Sequence, residues 1–281
     1  MLEIYLPSGR SDVRIEQITA DAMSSLFNAQ KYRLPDLFVD TLQRFTNVKV
    51  RDMYLEDFRY MLAMFDANSW PKSHRLYEWR CTQTFFVDMR GERYYDRPRG
   101  CKFVEVECNL LNTEEVMRQN VVSNKWCDLP QGLRHPTVQR WIDAETLAEE
   151  RDRTQVMNAM YMDSDLPLEQ TLDYADPIEL MDAGNHVYVS CELETTHKCN
   201  KCFRTYKYKS PIDILGYFRV FSDTSMMNMT LDLASAKNIY VPDNITINKL
   251  LYWHSAYVHD KNKAEEQRAL ALAAQRGRRG G

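Results

Sequence analysis

Apolar positions along this chain recur with two different periods, and the change of period divides it into segments. Leu37, Phe38, Leu42 and Phe45, after Pro35, fall on one helical stripe. Leu55, Phe58, Leu62 and Phe65 form a second stripe in a helix that should start at about Asp52. Ahead of them, Thr19 offers an N-cap to a helix carrying Met23, Leu26 and Phe27. Short strands are expected at Leu2–Leu6 and Val13–Ile18, separated by the turn signal Pro7-Ser8-Gly9. After Trp70-Pro71 the period drops to two. Tyr77, Trp79 and Cys81 share one face of a strand continuing toward Phe86. Val104, Val106, Cys108 and Leu110 alternate with Phe103, Glu105 and Glu107, with turns expected at Arg90-Gly91-Glu92 and Arg97–Gly100. Thr113-Glu114-Glu115 opens a short helix.

From Asp128 to Gly132 the chain reaches a boundary, and its second half begins with echoes of the first. Leu6-Pro7-Ser8-Gly9 returns as Leu129-Pro130-Gln131-Gly132, and Ile18-Thr19-Ala20-Asp21 as Ile142-Asp143-Ala144-Glu145. In each half a helical stretch leads to a β segment containing cysteine, which fits a weak duplication of a unit of about 120 residues. Val187–Leu193 alternates as a strand, then turns through Thr195, Thr196 and His197 into Cys199. Phe203, Tyr206 and Tyr208 sit on a returning strand. Ser210-Pro211-Ile212-Asp213 is a helix-start signal for Ile214–Phe221. A long helix runs from Thr246, and Arg276–Gly281 should be a frayed tail. The expected fold is α+β, with two weakly similar halves and a helical C-terminal region. The divisions fall at 1–128, 129–222 and 223–281.

Composition adds three limits. With 281 residues, 44% of them hydrophobic and 27% charged, the chain can bury a core. No apolar run reaches the roughly 18 residues of a membrane span, and the N-terminus has no signal-peptide pattern, so a soluble, cytoplasmically made protein is expected. The net charge of −4 conceals an asymmetry. Asp143–Glu194 carries 14 acidic side chains against the two basic residues Arg151 and Arg153, whereas 195–281 carries 14 basic against seven acidic. That split suits two surfaces of opposite sign, docking head to tail or on charged neighbours, or two solvated faces.

Seven cysteines are an odd number and are not spaced as a disulfide framework. Cys199 and Cys202 can place both sulfurs on one ion through a tight knuckle, and Cys191 lies close behind them in sequence. Lys198 and Lys201 would favour the thiolates. His197 stands too near Cys199 to join the same site easily. Cys81 holds the equivalent place in the first half and is the preferred fourth ligand, with Cys101 and Cys108 in reserve. Zinc or an iron–sulfur cluster would suit Cys81, Cys191, Cys199 and Cys202. The alternatives are redox thiols and simple burial. Cys127, beside Trp126, reads as a small buried hydrophobe.

No catalytic constellation is legible. There is no Gly-rich phosphate loop, no H-E-x-x-H and no G-x-S-x-G, and nine glycines leave little room to hide a nucleotide cradle. His74, His135, His186, His254 and His259 are isolated and read as structural or surface residues. Lys198–Lys209 interleaves five basic residues with Phe203, Tyr206 and Tyr208, the pattern of a zinc-ribbon nucleic-acid binder. Its plainer reading, preferred in an acidic protein, is a cysteine hairpin with a charged outer face. A thiol oxidoreductase on Cys199 and Cys202 ranks last, because no thioredoxin-like setting surrounds the pair.

Several segments together resemble the T-even-type phage baseplate hub subunit family of contractile-tailed phages. They are the LPSGR turn at Leu6–Arg10, the Ile15–Leu26 strand-to-helix unit and the LEDFRYMLAMF helix at Leu55–Phe65. The Trp/Tyr-rich strand Tyr77–Cys81 and the hairpin Cys191–Tyr208 complete the set, which spans residues 1–220 in arrangement. Where a paired knuckle would be expected in the first half, Cys81 has only Thr84 beyond it, and nothing from Met226 onward takes part. The resemblance implies a structural virion component of the tail baseplate, assembled in the host cytoplasm. It would contact other hub, wedge and tail proteins, with no enzymatic role and no membrane or nucleic-acid partner. A homo-oligomer is a further option.

Overall fold

A computed structural model describes residues 1–70, 73–80, 86–87, 93–94, 103–110, 122–124, 126, 128–186, 191–198, 205–217, 220, 223–237, 240–242 and 244–279. Among these, helix predominates over strand, in a mixed α and β arrangement. The chain opens with the antiparallel pair β1 (Leu2–Ile4) and β2 (Val13–Ile15), in register Leu2↔Ile15. Gly9, at φ 93°, makes the turn between them possible, since a Cβ there would be strained. Helices α1 (Ala20–Lys31), α2 (Pro35–Gln43) and α3 (Leu55–Ser69) follow. Pro35 occupies the first turn of α2, where a missing N–H costs nothing.

Helix α3 is the centre of the molecule. Phe58, Leu62 and Phe65 are fully buried, as the spacing predicts, and so are Met61 and Met64 on neighbouring faces. Such all-round burial means that α3 is covered from several sides. It packs on β1, on α4 (Val138–Leu147) and on α8 (Ile214–Tyr217). It also lies against β7 (Val122–Asn124) and β8 (Cys191–Lys198). The predicted stripe in α2 is narrower than expected: Phe38, Val39 and Leu42 are buried while Leu37 is 36% exposed. Helix α3 begins three residues later than Asp52, because Val50–Asp52 forms a 3-10 turn.

The middle of the chain supplies β ribbons. Strands β3 (Ser73–Arg80) and β6 (Phe103–Leu110) pair antiparallel from Ser73↔Leu110 to Arg80↔Phe103. Between them in sequence, β4 (Phe86–Val87) pairs with β5 (Arg93–Tyr94). Strand β8 then pairs with β7 on one side and with β9 (Thr205–Pro211) on the other. Two expectations change here. Thr195, Thr196 and His197 are not a turn but lie within β8, opposite Tyr208, Lys207 and Tyr206. β-Branched threonine favours the extended strand, so the reversal comes only after Lys198. Likewise Ser210 and Pro211 end β9 rather than cap a helix, because Ser210 is paired with Leu193. The single-turn α8 starts after Asp213, whose carbonyl accepts from the Tyr217 N–H at 2.7 Å.

Four helices precede that ribbon: α4, α5 (Arg153–Ala159), α6 (Leu168–Tyr174) and α7 (Pro177–His186). Thr137 caps α4 through the Arg140 N–H, and Asp152 caps α5 through the Gln155 N–H. Ile142–Glu145 is interior to α4, whereas its sequence echo Ile18–Asp21 straddles the start of α1. The two glycine turns correspond better: Gly132 is also left-handed, at φ 86°. The chain closes with α9 (Asp223–Lys237) and α10 (Ile247–Arg279). The predicted frayed tail is helical to Arg279, in continuity with the strong helix formers Ala269–Ala274 and despite Gly277, which costs roughly 1 kcal/mol in a helix.

Two junctions lock the helices together by their N-termini. Ala20 N–H donates to the Ile245 carbonyl at 2.8 Å and Ile247 N–H to the Ile18 carbonyl at 3.0 Å, joining α1 to α10. In the same way Leu55 N–H donates to Pro136 and Val138 N–H to Met53, both at 2.9 Å, joining α3 to α4. Each pair satisfies N–H groups that a helix start leaves without an intrahelical acceptor. One buried cluster extends from Ile4 to Leu250, drawing on residues either side of 128/129 and of 222/223.

A buried carboxylate ties the opening turn to α3. Asp57 accepts from the Ser8 N–H at 3.0 Å and the Ser8 hydroxyl at 2.6 Å. Burial raises its pKa above the ordinary value, against the lowering effect of the two Ser8 hydrogen bonds. A carboxyl that holds its proton more tightly when folded makes stability fall as pH rises from the ordinary carboxylate range through the raised pKa; above that the cost is constant. Asp57→Asn removes the titration and keeps both contacts only with the Ser8 hydroxyl reversed, accepting from the amide NH2 while the amide oxygen accepts the Ser8 N–H. Its stability relative to wild type should therefore be most favourable at neutral pH and shrink toward pH ~4. Asp57→Ala should cost about 1–3 kcal/mol near pH ~4 and less at neutral pH, because it loses the contacts but also removes the titration. Urea titrations across that range check both, and a pH-independent difference for Asp57→Asn would refute the linkage.

Candidate functional site

Of the four proposed metal ligands, Cys191 is placed as the first residue of β8, in register with Asn124 of β7. Cys81, Cys199 and Cys202 lie outside the described residues, as do Cys101 and Cys127. In sequence, Cys81 directly follows β3 and Cys199 directly follows β8, strands that belong to two different sheets. The reserve Cys108 is within β6, opposite Arg75. Among the described residues, no three His, Cys, Asp or Glu side chains gather as a metal site. Of the basic residues in the Lys198–Lys209 ribbon, Lys198, Lys207 and Lys209 lie in β8 and β9, with Lys209 opposite Glu194, while Lys201 and Arg204 lie outside the described residues.

The tertiary fold does assemble a recess that the sequence does not announce. Tyr54, Trp126 and His135 cluster at the α3–α4 junction. The Trp126 ring centroid lies 4.1 Å from that of His135 and 5.1 Å from that of Tyr54. With Arg134, Arg140 and Asp128 they line a cavity of about 520 Å³. The α3–α4 hydrogen bonds put Tyr54 and Thr137, the residues that precede the two helices, side by side on the wall of this recess. Positive helix ends and two guanidiniums favour an anionic group, and the aromatic faces favour a planar one.

The arginines are mostly committed to the protein itself. Arg134 meets Asp165 at 3.1 Å and Asp163 at 3.7 Å, and also bonds to the Ser164 carbonyl. Arg140 donates to the Met160 carbonyl at 3.0 Å and, at 3.3–3.4 Å, to the carbonyls of Ala159, Ser164 and Leu166. It thereby closes the C-terminus of α5, where a cation also suits the helix dipole. Burial lowers its pKa, and the nearby Arg134 charge lowers it further. Trp126 and His135 are close in sequence, but Tyr54 comes from far upstream, so only the helix junction reveals the cluster.

A second feature is larger. Helix α10 is held to the body at its start, where Ile247 and Leu250 are buried and His254 lies 3.2 Å from Asp232 of α9. From Val258 to Leu272 every position is exposed. The whole helix has 33 residues, a length of about 50 Å. Opposite in character is the acidic stretch predicted from the sequence. Asp163, Asp165, Glu169, Asp173, Asp176, Glu179 and Asp182 are all exposed, on or beside α6 and α7.

No family model, curated protein or solved structure matches this chain. Among the described residues, no helix is long and apolar enough to cross a membrane.

Proposed function

We propose that this chain is a non-enzymatic assembly subunit, of the kind found in the hub region of a contractile phage tail baseplate. The observation that carries the assembly reading is α10, which is anchored at its start and exposed at every position from Val258 to Leu272. A helix exposed on every side over a stretch as long as Val258–Leu272 is best accounted for by a partner that covers it. The baseplate setting is supported by the resemblance in Leu6–Arg10, Ile15–Leu26, Leu55–Phe65, Tyr77–Cys81 and Cys191–Tyr208. Two related halves, each ending in a cysteine-bearing β segment, belong to the same proposal, and the left-handed glycines Gly9 and Gly132 support it. An internal metal staple, zinc or an iron–sulfur cluster, on Cys81, Cys191, Cys199 and Cys202 is also part of the proposal.

The test is protein mass spectrometry on purified, intact phage particles from the host that expresses the chain. A fixed copy number in isolated baseplates is expected, and absence from particles that retain their tails overturns the reading. The staple is checked separately by elemental analysis and an absorption spectrum of protein purified without oxygen. Cys199→Ser is expected to lose most of the bound metal and unfold at lower denaturant than wild type. Wild-type protein that carries no metal removes the staple and leaves the assembly role standing. A second reading, a nucleic-acid-binding ribbon, draws support from the β8–β9 hairpin, with Lys207 and Lys209 at alternate positions of β9. It requires salt-dependent retention of DNA or RNA, lost when Lys201, Arg204 and Lys207 are neutralised.

A further inference from the structure

The exposed end of α10 and the face made by α6 and α7 complement each other in two independent respects. The first is apolar. Tyr174, Ile178 and Met181 are 80%, 68% and 68% exposed, and Ile178 and Met181 are three apart on α7. On α10, Leu272 is 57% exposed, and the helical spacing puts it on one stripe with Arg268, Arg276 and Arg279. The second is charge. Residues 154–197 contain no lysine or arginine, and Asp173, Asp176, Glu179 and Asp182 alternate in sequence with the apolar triplet Tyr174, Ile178 and Met181. After Glu266 the α10 sequence contains no acid, only Arg268, Arg276, Arg278 and Arg279.

A groove beside the triplet adds room for a guest side chain. It has a volume of about 470 Å³ between the Pro130–Leu133 turn and α7, with Glu179 and Asp182 on its wall. An arginine reaching into it would meet the carboxylates of Glu179 and Asp182, both exposed, in a contact that salt screens. From Val258 to Leu272, meanwhile, α10 has no covered face, whereas helices in proteins draw most of their stability from packing an apolar face. Covering its apolar positions on a second surface stabilises both elements.

We propose that the outer part of α10 docks on the α6–α7 face of a second copy of this chain, head to tail. This deepens the assembly reading above and rests on it. Because the two patches differ, the contact is heterologous, giving a ring if the rotation closes and a filament if it does not. One copy offers both halves of the contact, so no other protein is needed to form it.

Sedimentation of the full-length chain tests this directly. Wild type should associate at concentrations up to about 100 µM at low salt and dissociate toward ~0.5 M salt, where surface charge is screened. One variant reverses the tail (Arg268→Glu, Arg276→Glu, Arg278→Glu, Arg279→Glu). Another reverses the face (Asp173→Lys, Glu179→Lys, Asp182→Lys). Each alone should remain monomeric, and an equimolar mixture should associate, since each supplies the partner that the other lacks. Should either reversal disturb folding by circular dichroism, the Gln and Asn versions take its place, with loss of association in each as the expected result.

A monomeric wild type overturns the proposal, and so does a mixture of the reversed variants that stays monomeric. Association that persists in both separate variants also overturns it, by showing that other surfaces are responsible. If the chain is monomeric but the tail-reversed variant is lost from phage particles, self-docking fails and the assembly reading stands. If it self-associates as described but is missing from particles, the baseplate reading alone fails.

Discussion

Phe58→Ala should lower the stability of the whole protein by about 3–5 kcal/mol, the cost of emptying a large aromatic site in a packed core. Phe58 is fully buried in α3, the helix that β1, α4, α8, β7 and β8 all touch. A cavity there removes contacts from several elements at once, and little of the surroundings can collapse into it without disturbing another neighbour. In urea the midpoint should fall with the m-value unchanged, and Tm should drop on the order of 10 °C. Tyr252→Ala, at a position 71% exposed in α10, is the matched control and should lie within about 0.5 kcal/mol of wild type. A Phe58→Ala protein as stable as that control would show that α3 is not the packing centre.

Arg140→Met should be the next most costly, at about 2–4 kcal/mol, because it strips the donors from carbonyls at the end of α5 and in the following loop. The guanidinium reaches the carbonyls of Ala159 and Met160 on one side and of Ser164 and Leu166 on the other. Methionine matches its stem and tests the donors rather than the packing. Relief of Arg140's own burial, and of its repulsion by Arg134, offsets part of the loss and keeps the figure from rising further. Arg140→Lys should recover less than half, since a single ammonium cannot span both groups of acceptors. Urea unfolding gives the energies. Faster proteolysis within 160–167 in the methionine variant would localise the damage, and full rescue by lysine would contradict the forked role.

How much of the fold is legible in the sequence differs from element to element. The stripes Phe38/Leu42 and Phe58/Leu62/Phe65 are plain because a 3.6-residue period has one physical meaning in a chain with a core. The paired strands around Tyr77 and Val106 are equally plain from their period of two. Differences gather at element ends. Thr195–His197 and Ser210-Pro211 carry turn and cap residues, yet they lie in strands because each has a partner strand to complete its ladder. Ile142–Glu145 matches Ile18–Asp21 in letters but not in place, being interior to a helix rather than at its start.

The candidate surfaces divide along the same line. The acidic run through Asp143–Glu194, the basic end of the chain and the cysteine spacing at Cys199 and Cys202 are all fixed by residue order, for these are properties of neighbours along the backbone. Only the packed chain reveals that Tyr54 meets Trp126 and His135, that Arg140 closes α5, and that α10 is uncovered from Val258 to Leu272. The physical reason is the helix-to-helix junctions. Backbone hydrogen bonds from Leu55 to Pro136 and from Ile247 to Ile18 join residues far apart in the chain. Such bonds use the N–H and C=O that every residue but proline carries, so the side-chain sequence gives little sign of where they will form.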